Sequence, residues 1–432
     1  MMKVAFYTLG CKVNQYETEA MEEMFRKRGY EVVSFEEKAD IYIINTCTVT
    51  NLGDRKSRQF IRRAKKLNKN SIVAAVGCYS QIAPDEVENI EGVDIVIGTT
   101  DKEKIVDLCE EVKQKRRKIN VVRNIKYHKQ FDNLSIDNLE SRTRAYMKIQ
   151  DGCNQYCSYC IIPYARGPIR SRKLEDILDE AEKLAKANFK EIILTGIHVA
   201  SYGKDLKNLS LLDVINEVSK IEGIERIRLS SIEPTFIDEE FMTNVVDNKK
   251  FCDHFHLSLQ SGSNSVLKRM NRKYTTEEYK NIVNLIRRYM PNAGITTDII
   301  VGFPGETEEE FQETYDFVKN IGFSRIHVFK YSPRKGTPAS KFDSQVHGSV
   351  KHYRSEKLIE LGNQLANRFM DQFVGNRMEV LFEENKDGYC EGYTTNYIRV
   401  KAKSSKDIQG EILPVKIKVR ENDILIGEIE EL

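Results

Sequence analysis

No apolar run in this chain approaches the length of a membrane span. The longest, such as Ser71-Ile-Val-Ala-Ala-Val76, are strand-sized, against the ~20 residues a spanning helix needs. Met1 to Leu9 lacks the cationic start and cleavage site of a secretory signal and opens at once on a strand pattern. A cytoplasmic protein without a membrane partner is expected, in a compartment where thiols stay reduced and can bind iron. A strong charge of either sign is also missing. The 67 Lys and Arg against 65 Asp and Glu leave a net charge of +2, which announces no nucleic-acid partner by itself. Nor do nine cysteines in 432 residues suit a disulfide framework, which favours an even count in a short secreted chain.

What is present is core material for more than one domain. The hydrophobic fraction is 40% and the charged fraction 31%, ordinary for a globular protein. At 432 residues the chain exceeds the size at which single cores stop growing, so two or three domains are expected.

The organising stretch is Cys153-Asn-Gln-Tyr-Cys157-Ser-Tyr-Cys160. Three thiols so close in sequence are a metal-ligand arrangement. A structural zinc site closes with a fourth Cys or His, and none follows before His198. A three-ligand site leaves one coordination position for a substrate or cofactor. A closed zinc site and unmetallated thiols are the competing readings.

Residues 1–116 alternate strand-like runs (Lys3–Thr8, Ile41–Ile44, Ser71–Val76, Val93–Ile97) with helical patterns over Glu17–Arg28 and Arg55–Lys66. That order predicts a doubly wound parallel sheet in an α/β protein. Three of the runs lead straight into Cys11, Cys47 and Cys78. Ligand sites gather beyond the carboxyl ends of parallel strands, so these three could converge as a second three-thiolate site. The plainer reading is that small buried cysteines often end strands. Cys109, Cys252 and Cys390 have no partner at useful spacing and read as packing residues.

Residues 117–141 show no sustained period and read as a linker with room for one short edge strand. Residues 142–370 carry six strand candidates (from Arg144, Lys190, Arg226, His254, Ile295 and Arg325) separated by helical patterns, which predicts a partial (β/α)6 barrel. Residues 371–432 show five short strands, a small β-barrel of the oligonucleotide-binding type. Its charges alternate to place Arg399, Lys401 and Lys403 on one face, and Lys416, Lys418 and Arg420 on another. Other basic clusters are Arg55 to Lys66, Lys113 to Lys118 and Lys268 to Lys273, each readable as a solvated helix face. The arginines of Tyr164-Ala-Arg-Gly-Pro-Ile-Arg-Ser-Arg172 follow the cysteine loop, as charge neutralisers or as a surface loop. Thr307 with Glu310 forms a capping box, while His254 and His256 alternate on one strand face and read as structural.

The triple spacing, with Tyr159 before the last cysteine, resembles the radical S-adenosylmethionine (SAM) enzymes. In that family three cysteines hold a [4Fe–4S] cluster and SAM chelates the fourth iron. Gly10-Cys-Lys-Val-Asn-Gln-Tyr-Glu17, Asn45-Thr-Cys-Thr-Val-Thr50 and Gly77-Cys78 resemble the amino-terminal signature of the methylthiotransferases within it. The Gly-Cys-Lys-Val-Asn form is closest to the subgroup acting on N6-threonylcarbamoyladenosine (t6A) beside the tRNA anticodon. The resemblance implies two [4Fe–4S] clusters, a catalytic one on Cys153, Cys157 and Cys160 and an auxiliary one on Cys11, Cys47 and Cys78. It implies SAM contacts from Tyr159, Gly196, Ser231, Glu233 and Gln260, and a terminal TRAM module. It also implies a tRNA anticodon stem-loop as partner and an electron donor such as flavodoxin or ferredoxin. Methylthiolation of isopentenyladenosine or of a ribosomal-protein side chain is the alternative activity. A non-catalytic zinc- and RNA-binding protein is the alternative from another class.

Overall fold

The computed structural model describes residues 1–136 and 143–430. Its first sheet holds β1 (Lys3–Thr8), β2 (Glu31–Val33), β3 (Ile41–Thr46), β4 (Ile72–Gly77), β5 (Ile95–Ile97) and β6 (Ile119–Asn120). All are parallel, in the order β2-β1-β3-β4-β5-β6. Every residue of the central β3 is buried, because helices cover both faces of the sheet, and that is why this run is apolar without alternation. Tyr42 and Ile44 face one core, Ile41 and Ile43 the other. Truncating Ile43 to alanine would cost roughly 2–5 kcal/mol.

Helix α1 (Lys12–Lys27) starts five residues before the pattern suggested. Gly10, at φ +104°, turns the chain sharply, and Cys11 in extended conformation lets the helix begin on the next residue. Helix α2 (Asn51–Leu67) is capped by Thr50, whose side chain accepts from the Gly53 amide. Helix α3 (Cys78–Ile82) begins directly on a cysteine.

The described part of the expected linker, 117–136, is packed rather than loose. Its β6 extends the first sheet, and Leu134 and Ile136 bury against Tyr16 and Ala20 of α1. The end of the expected linker, 137–141, and residue 142 lie outside the described residues.

The central unit is a partial barrel. β7 (Arg144–Asp151), β9 (Glu191–Gly196) and β10 (Arg226–Leu229) are parallel neighbours, with the short β8 (Arg170–Ser171) antiparallel beside the end of β7. β11 (His254–His256), β12 (Gly294–Val301) and β13 (Arg325–Lys330) form a second parallel set. Bridges at Ile227–Phe251 and Ile232–Leu257 join the two sets. Residues alternating along each strand face either the surrounding helices or the lumen. The outward set, including Met147, Ile192, Ile227 and Ile295, makes the largest core. A 24-residue helix, Gly348–Asp371, lies along β13. It approaches closely because Gly362 carries no side chain: a Cβ there would sit 2.5 Å from Ile326.

The last five strands, β14 (Arg377–Lys386), β15 (Tyr389–Thr394), β16 (Arg399–Lys403), β17 (Ile412–Glu421) and β18 (Ile424–Ile429), close into a barrel in the order β14-β15-β16-β18-β17. Its Thr394–Tyr397 turn seals the amino-terminal end of the central lumen. Arg228 donates to the carbonyls of Thr394 and Thr395, and Tyr397 stacks on His254 with ring centroids 4.7 Å apart. Among the described residues no helix is long and apolar enough to cross a membrane.

Candidate active site between two cysteine trios

β1, β3 and β4 are adjacent, with Thr8 opposite Asn45 and Thr46 opposite Gly77. Their carboxyl ends therefore deliver Cys11, Cys47 and Cys78 to one edge of the first sheet. Asn14 binds two of these turns together: its Nδ2 donates to the carbonyls of Leu9 (2.7 Å) and Thr46 (3.0 Å). Gly10 is needed for the approach, since a Cβ would lie 3.1 Å from Sγ of Cys47. Cys11 is exposed, Cys47 half-buried and Cys78 buried. Burial, then the nearby Cys78 and Cys11 thiols, push the Cys47 thiol up to about 12.

The second trio sits in the loop after β7. The Cys153 amide donates to Gly167 O at 3.0 Å, and the Cys160 amide to Cys157 O at 3.0 Å. Ser158 anchors the loop to the segment after β11, its Oγ donating to Arg269 O at 2.7 Å. Arg272 donates to Sγ of Cys157 at 3.3 Å and pairs with Glu233 at 2.9 Å. Burial and the neighbouring thiols raise Cys153 to about 11 and Cys160 to about 12.

Three thiols held this way, each disfavouring the ionisation of its neighbours, form a donor set suited to a multiply charged metal centre. Both trios fit on this ground the cluster that the resemblance implies, and each has a buried guanidinium on one sulfur: Arg272 on Cys157 and Arg166 on Cys78. Among the described residues no three His, Cys, Asp or Glu side chains gather closely enough to hold a single metal ion.

Both loops border one cavity of about 200 Å³, lined by Val49 and Thr50 from the first trio's side and by Tyr159, Cys160, Gln260, Asp298 and Phe329. Gln260 holds a left-handed backbone, φ 70°, strained for a residue with a side chain. Glu233 is buried and reaches the second trio through Arg272, with His198 Nε2 3.6 Å away. Gly196 abuts Gln150, whose Nε2 holds the carbonyls of Asp151 and Gly152 ahead of Cys153. Ser231 is exposed, whereas the neighbouring Ser230 buries a hydroxyl with no protein partner.

The arginine loop is not a surface loop: Arg166, Arg170 and Arg172 are almost wholly buried. Arg166 bridges Glu17 of α1 (2.5 Å), Asp151 (3.2 Å) and Cys78 (3.4 Å). Lys102 and Lys148 also pair with Glu17, at 3.0 and 2.8 Å. Burial pushes the Glu17 carboxyl up, but Arg166, Lys102 and Lys148 outweigh it and hold Glu17 well below the usual carboxylate range. Sequence reasoning missed Glu17, Lys102 and Lys148, because isolated charges in amphipathic segments look solvated. Arg272 lay within a basic cluster read as a helix face, yet it is buried against Glu233. Arg334 was not singled out either. It clamps the first unit to the barrel through Thr48, Asn51 and Asp54.

Lys12, beside Cys11, extends into the barrel lumen with its Nζ 5.7 Å from the Tyr146 ring centroid. Deeper in, Arg228 pairs with Glu191 at 2.7 Å, while His256 Nε2 lies 3.4 Å from Asp298. Cys109 and Cys390 are buried in apolar cores and Cys252 is buried as well.

The Radical SAM superfamily profile matches residues 147–318, and that of the uncharacterized protein family UPF0004 matches residues 3–98. The chain is 46% identical over 423 residues to threonylcarbamoyladenosine tRNA methylthiotransferase MtaB of Bacillus subtilis (strain 168), covering 96% of this chain and 94% of that protein. The enzyme of the same name from Aquifex aeolicus (strain VF5) is 44% identical over 417 residues, covering 96% and 100%. A tRNA-2-methylthio-N(6)-dimethylallyladenosine synthase of Natranaerobius thermophilus is 40% identical over 442 residues, covering 99% and 97%. Among solved structures, the radical S-adenosylmethionine methyltransferase TsrM from Kitasatospora setae superposes with a TM-score of 0.58 at 16% identity, covering 78% of this chain and 77% of that one. That likeness shows a shared fold.

Proposed function

The chain belongs to the radical SAM methylthiotransferases, and from that premise we propose that it methylthiolates C2 of N6-threonylcarbamoyladenosine beside the tRNA anticodon, with SAM and two [4Fe–4S] clusters. The observation that carries this reading is one cavity bordered by the loops of both three-thiol groups, with Cys160 on its wall and Val49 and Thr50 reaching it from the Cys47 side. Its substrate is argued from the names and near-complete coverage of the relatives.

An aromatic C–H has no acidic proton at neutral pH, so acid–base groups alone cannot functionalise it. Clusters bound on the two trios, with SAM, would supply the one-electron and sulfur chemistry that such a bond demands.

The protein's own residues do the holding. Cys153, Cys157 and Cys160 would hold the cluster that engages SAM, and Cys11, Cys47 and Cys78 the auxiliary one. Arg272 and Arg166 donate to one sulfur of each and so place a positive charge behind each group of ligands. Glu233, aligned by Arg272, and Gln260, at the cavity wall, present polar groups to SAM. Tyr159 packs beneath the loop against Phe303 and Tyr331 and fixes its shape. Gly196 leaves room for Gln150 to brace the turn into Cys153. The ion pair of Arg334 with Asp54 and its hydrogen bonds to Thr48 and Asn51 keep the two walls of the cavity together. The target base must leave its stack to reach a pocket of this kind. The terminal barrel would serve as a TRAM module that grips tRNA, and a one-electron donor such as flavodoxin or ferredoxin would complete the reaction. Cytoplasmic residence follows from these partners.

Anaerobically reconstituted protein is expected to carry iron and sulfide for two four-iron clusters and to methylthiolate a t6A-containing anticodon stem-loop. A colourless zinc protein defeats the enzymatic reading. Nucleoside mass analysis of tRNA from cells lacking the gene separates the substrates: loss of methylthio-t6A supports this one, and loss of the methylthio-isopentenyl nucleoside the other. Intact tRNA with an altered ribosomal protein would support the third.

A further inference from the structure

A cation stands in the lumen with no ion pair among the described residues. Lys12 is set there by its place at the first turn of α1, directly after Cys11, and its ammonium rests over the Tyr146 ring. Its charge acts on His254 of β11 and on His327 of β13, so it is felt across the lumen. Arg144 and Arg228 line the same space and are already matched: Arg228 by Glu191, Arg144 by Glu383 and more distantly by Glu191. Asp298 faces His256. Among the described residues Lys12 makes no ion pair. A half-buried ammonium in this position is costly unless an anion arrives to meet it.

The same lumen opens toward the cysteines. Asp298 lines the cavity that Cys160 and Thr50 border, and it also touches His256 inside the barrel. The far end is closed by Tyr397 over His254. A base placed with C2 toward the cavity's sulfur ligands would carry its N6 substituent into this blind space. The two substituents named by the relatives differ in charge there: the threonylcarbamoyl group ends in a carboxylate, and the dimethylallyl group is a hydrocarbon.

Resting on the reading that the substrate is a modified tRNA adenosine, we infer that Lys12 is the specificity-determining residue, its ammonium pairing with the carboxylate of the threonylcarbamoyl substituent. A site built around a charged partner rejects an analogue lacking it far more strongly than an apolar pocket discriminates by size. The inference thus explains how one scaffold would prefer the anionic nucleoside.

The test uses the reconstituted holoenzyme and three anticodon stem-loops, carrying t6A, its neutral methyl ester, or the isopentenyl nucleoside. Equilibrium binding is measured without reductant and turnover with it. Wild-type protein should prefer the acid over the ester by about 100-fold, the scale of losing one partner of a buried charge pair. Lys12→Met should lose that preference, binding acid and ester alike, and Lys12→Arg should retain most of it. Iron content and melting temperature show that each variant is folded and loaded. Should Lys12→Met not fold, the wild-type acid-to-ester ratio and Lys12→Arg still decide. If Lys12→Met discriminates acid from ester as well as wild type does, or if wild type never does, the Lys12 assignment falls and the substrate reading stands. If wild-type protein modifies only the isopentenyl stem-loop, the substrate reading falls and takes the assignment with it.

Discussion

Nε of Arg166 donates to Sγ of Cys78 across 3.4 Å, so a residue from the loop of one cysteine trio sits on a sulfur of the other. Around it Lys102, Lys148, Arg166 and Arg170 face only Glu17 and Asp151, all almost wholly buried. Two positive charges are left over in the buried interior, and a metal-bound thiolate at Cys78 would offset one of them. Ion-pair geometry and the proposed auxiliary site would then be one construction.

Arg166→Met should weaken the auxiliary site without touching the cysteines. Loss of a partner in the layer behind a metal ligand typically costs 10–100-fold in affinity. Iron retained on Cys11, Cys47 and Cys78 should fall accordingly, measured in a Cys153→Ala/Cys157→Ala/Cys160→Ala background. The change also takes one of three cations from Glu17, which keeps Lys102 and Lys148, so melting should drop by less than the roughly 3–5 kcal/mol that a wholly unpaired buried charge costs. Arg166→Lys, which keeps the charge and loses the fork, should fall between. Unchanged iron content in both variants would remove Arg166 from the site.

The two trios are predicted to fail differently. Cys153→Ala should abolish SAM cleavage and all product. Cys47→Ala should leave SAM cleavage intact and abolish sulfur insertion, read by nucleoside mass analysis. Cys109→Ala, in the first core and away from both trios, should retain activity at a cost of about 1 kcal/mol in stability. Full thiolation by Cys47→Ala would refute an auxiliary cluster on these residues.

Much of this arrangement is legible in the chain because strands advertise their ends. Apolar runs stop at Gly10-Cys11, Asn45-Thr46-Cys47 and Gly77-Cys78, and parallel neighbours must present those ends on one edge. Short strands are not legible: β2 has three residues and β8 two, too few to show a period. The helix Gly348–Asp371 escaped notice for another reason, since charges interrupt its apolar stripe and Gly362 occupies the contact with Ile326. The charge network stayed hidden because burial of Glu17 and Lys148 depends on partners far apart in sequence. No local pattern reports that.

His254 should make stability depend on pH from below. It is buried, it stacks on Tyr397, and its ring meets Thr296 Oγ1 at 3.1 Å. Burial first, then Arg228 of β10, His256 on its own strand, Lys12 of α1 and Arg144 of β7 hold it well below its usual 6.5. A base neutral in the folded state and chargeable when unfolded stabilises fully above the unfolded pKa. That stability is lost as pH falls below 6.5 toward the folded value, by up to about 1.4 kcal/mol per unit. Thermal melts at pH 7.5, 6.5 and 5.5 should fall steeply across the last step, and His254→Gln should flatten that step. An equal slope in both proteins would exclude His254 as its source.

The first contact with tRNA is predicted on α2. This helix starts at Asn51, beside Thr50 on the cavity rim. Three of its cations are already paired, Arg58 with Glu86, Arg63 with Glu36 and Lys65 with Asp94. Arg55, Lys56, Arg62 and Lys66 remain exposed, with no ion pair among the described residues. The terminal barrel is less free, since Arg399 and Lys401 share Glu391, Lys418 meets Glu428 and Arg420 meets Asp371. Phosphate contacts reveal themselves in salt dependence, because each neutralised phosphate releases counter-ions. Arg55→Ala/Arg62→Ala should weaken stem-loop binding regardless of the N6 substituent and reduce the slope of log K against log salt by about 0.7–0.9 for each cation removed. Lys12→Met, by contrast, should change discrimination between nucleosides while leaving most of that slope in place. An unaltered slope in the α2 variant would move the RNA path elsewhere on the molecule.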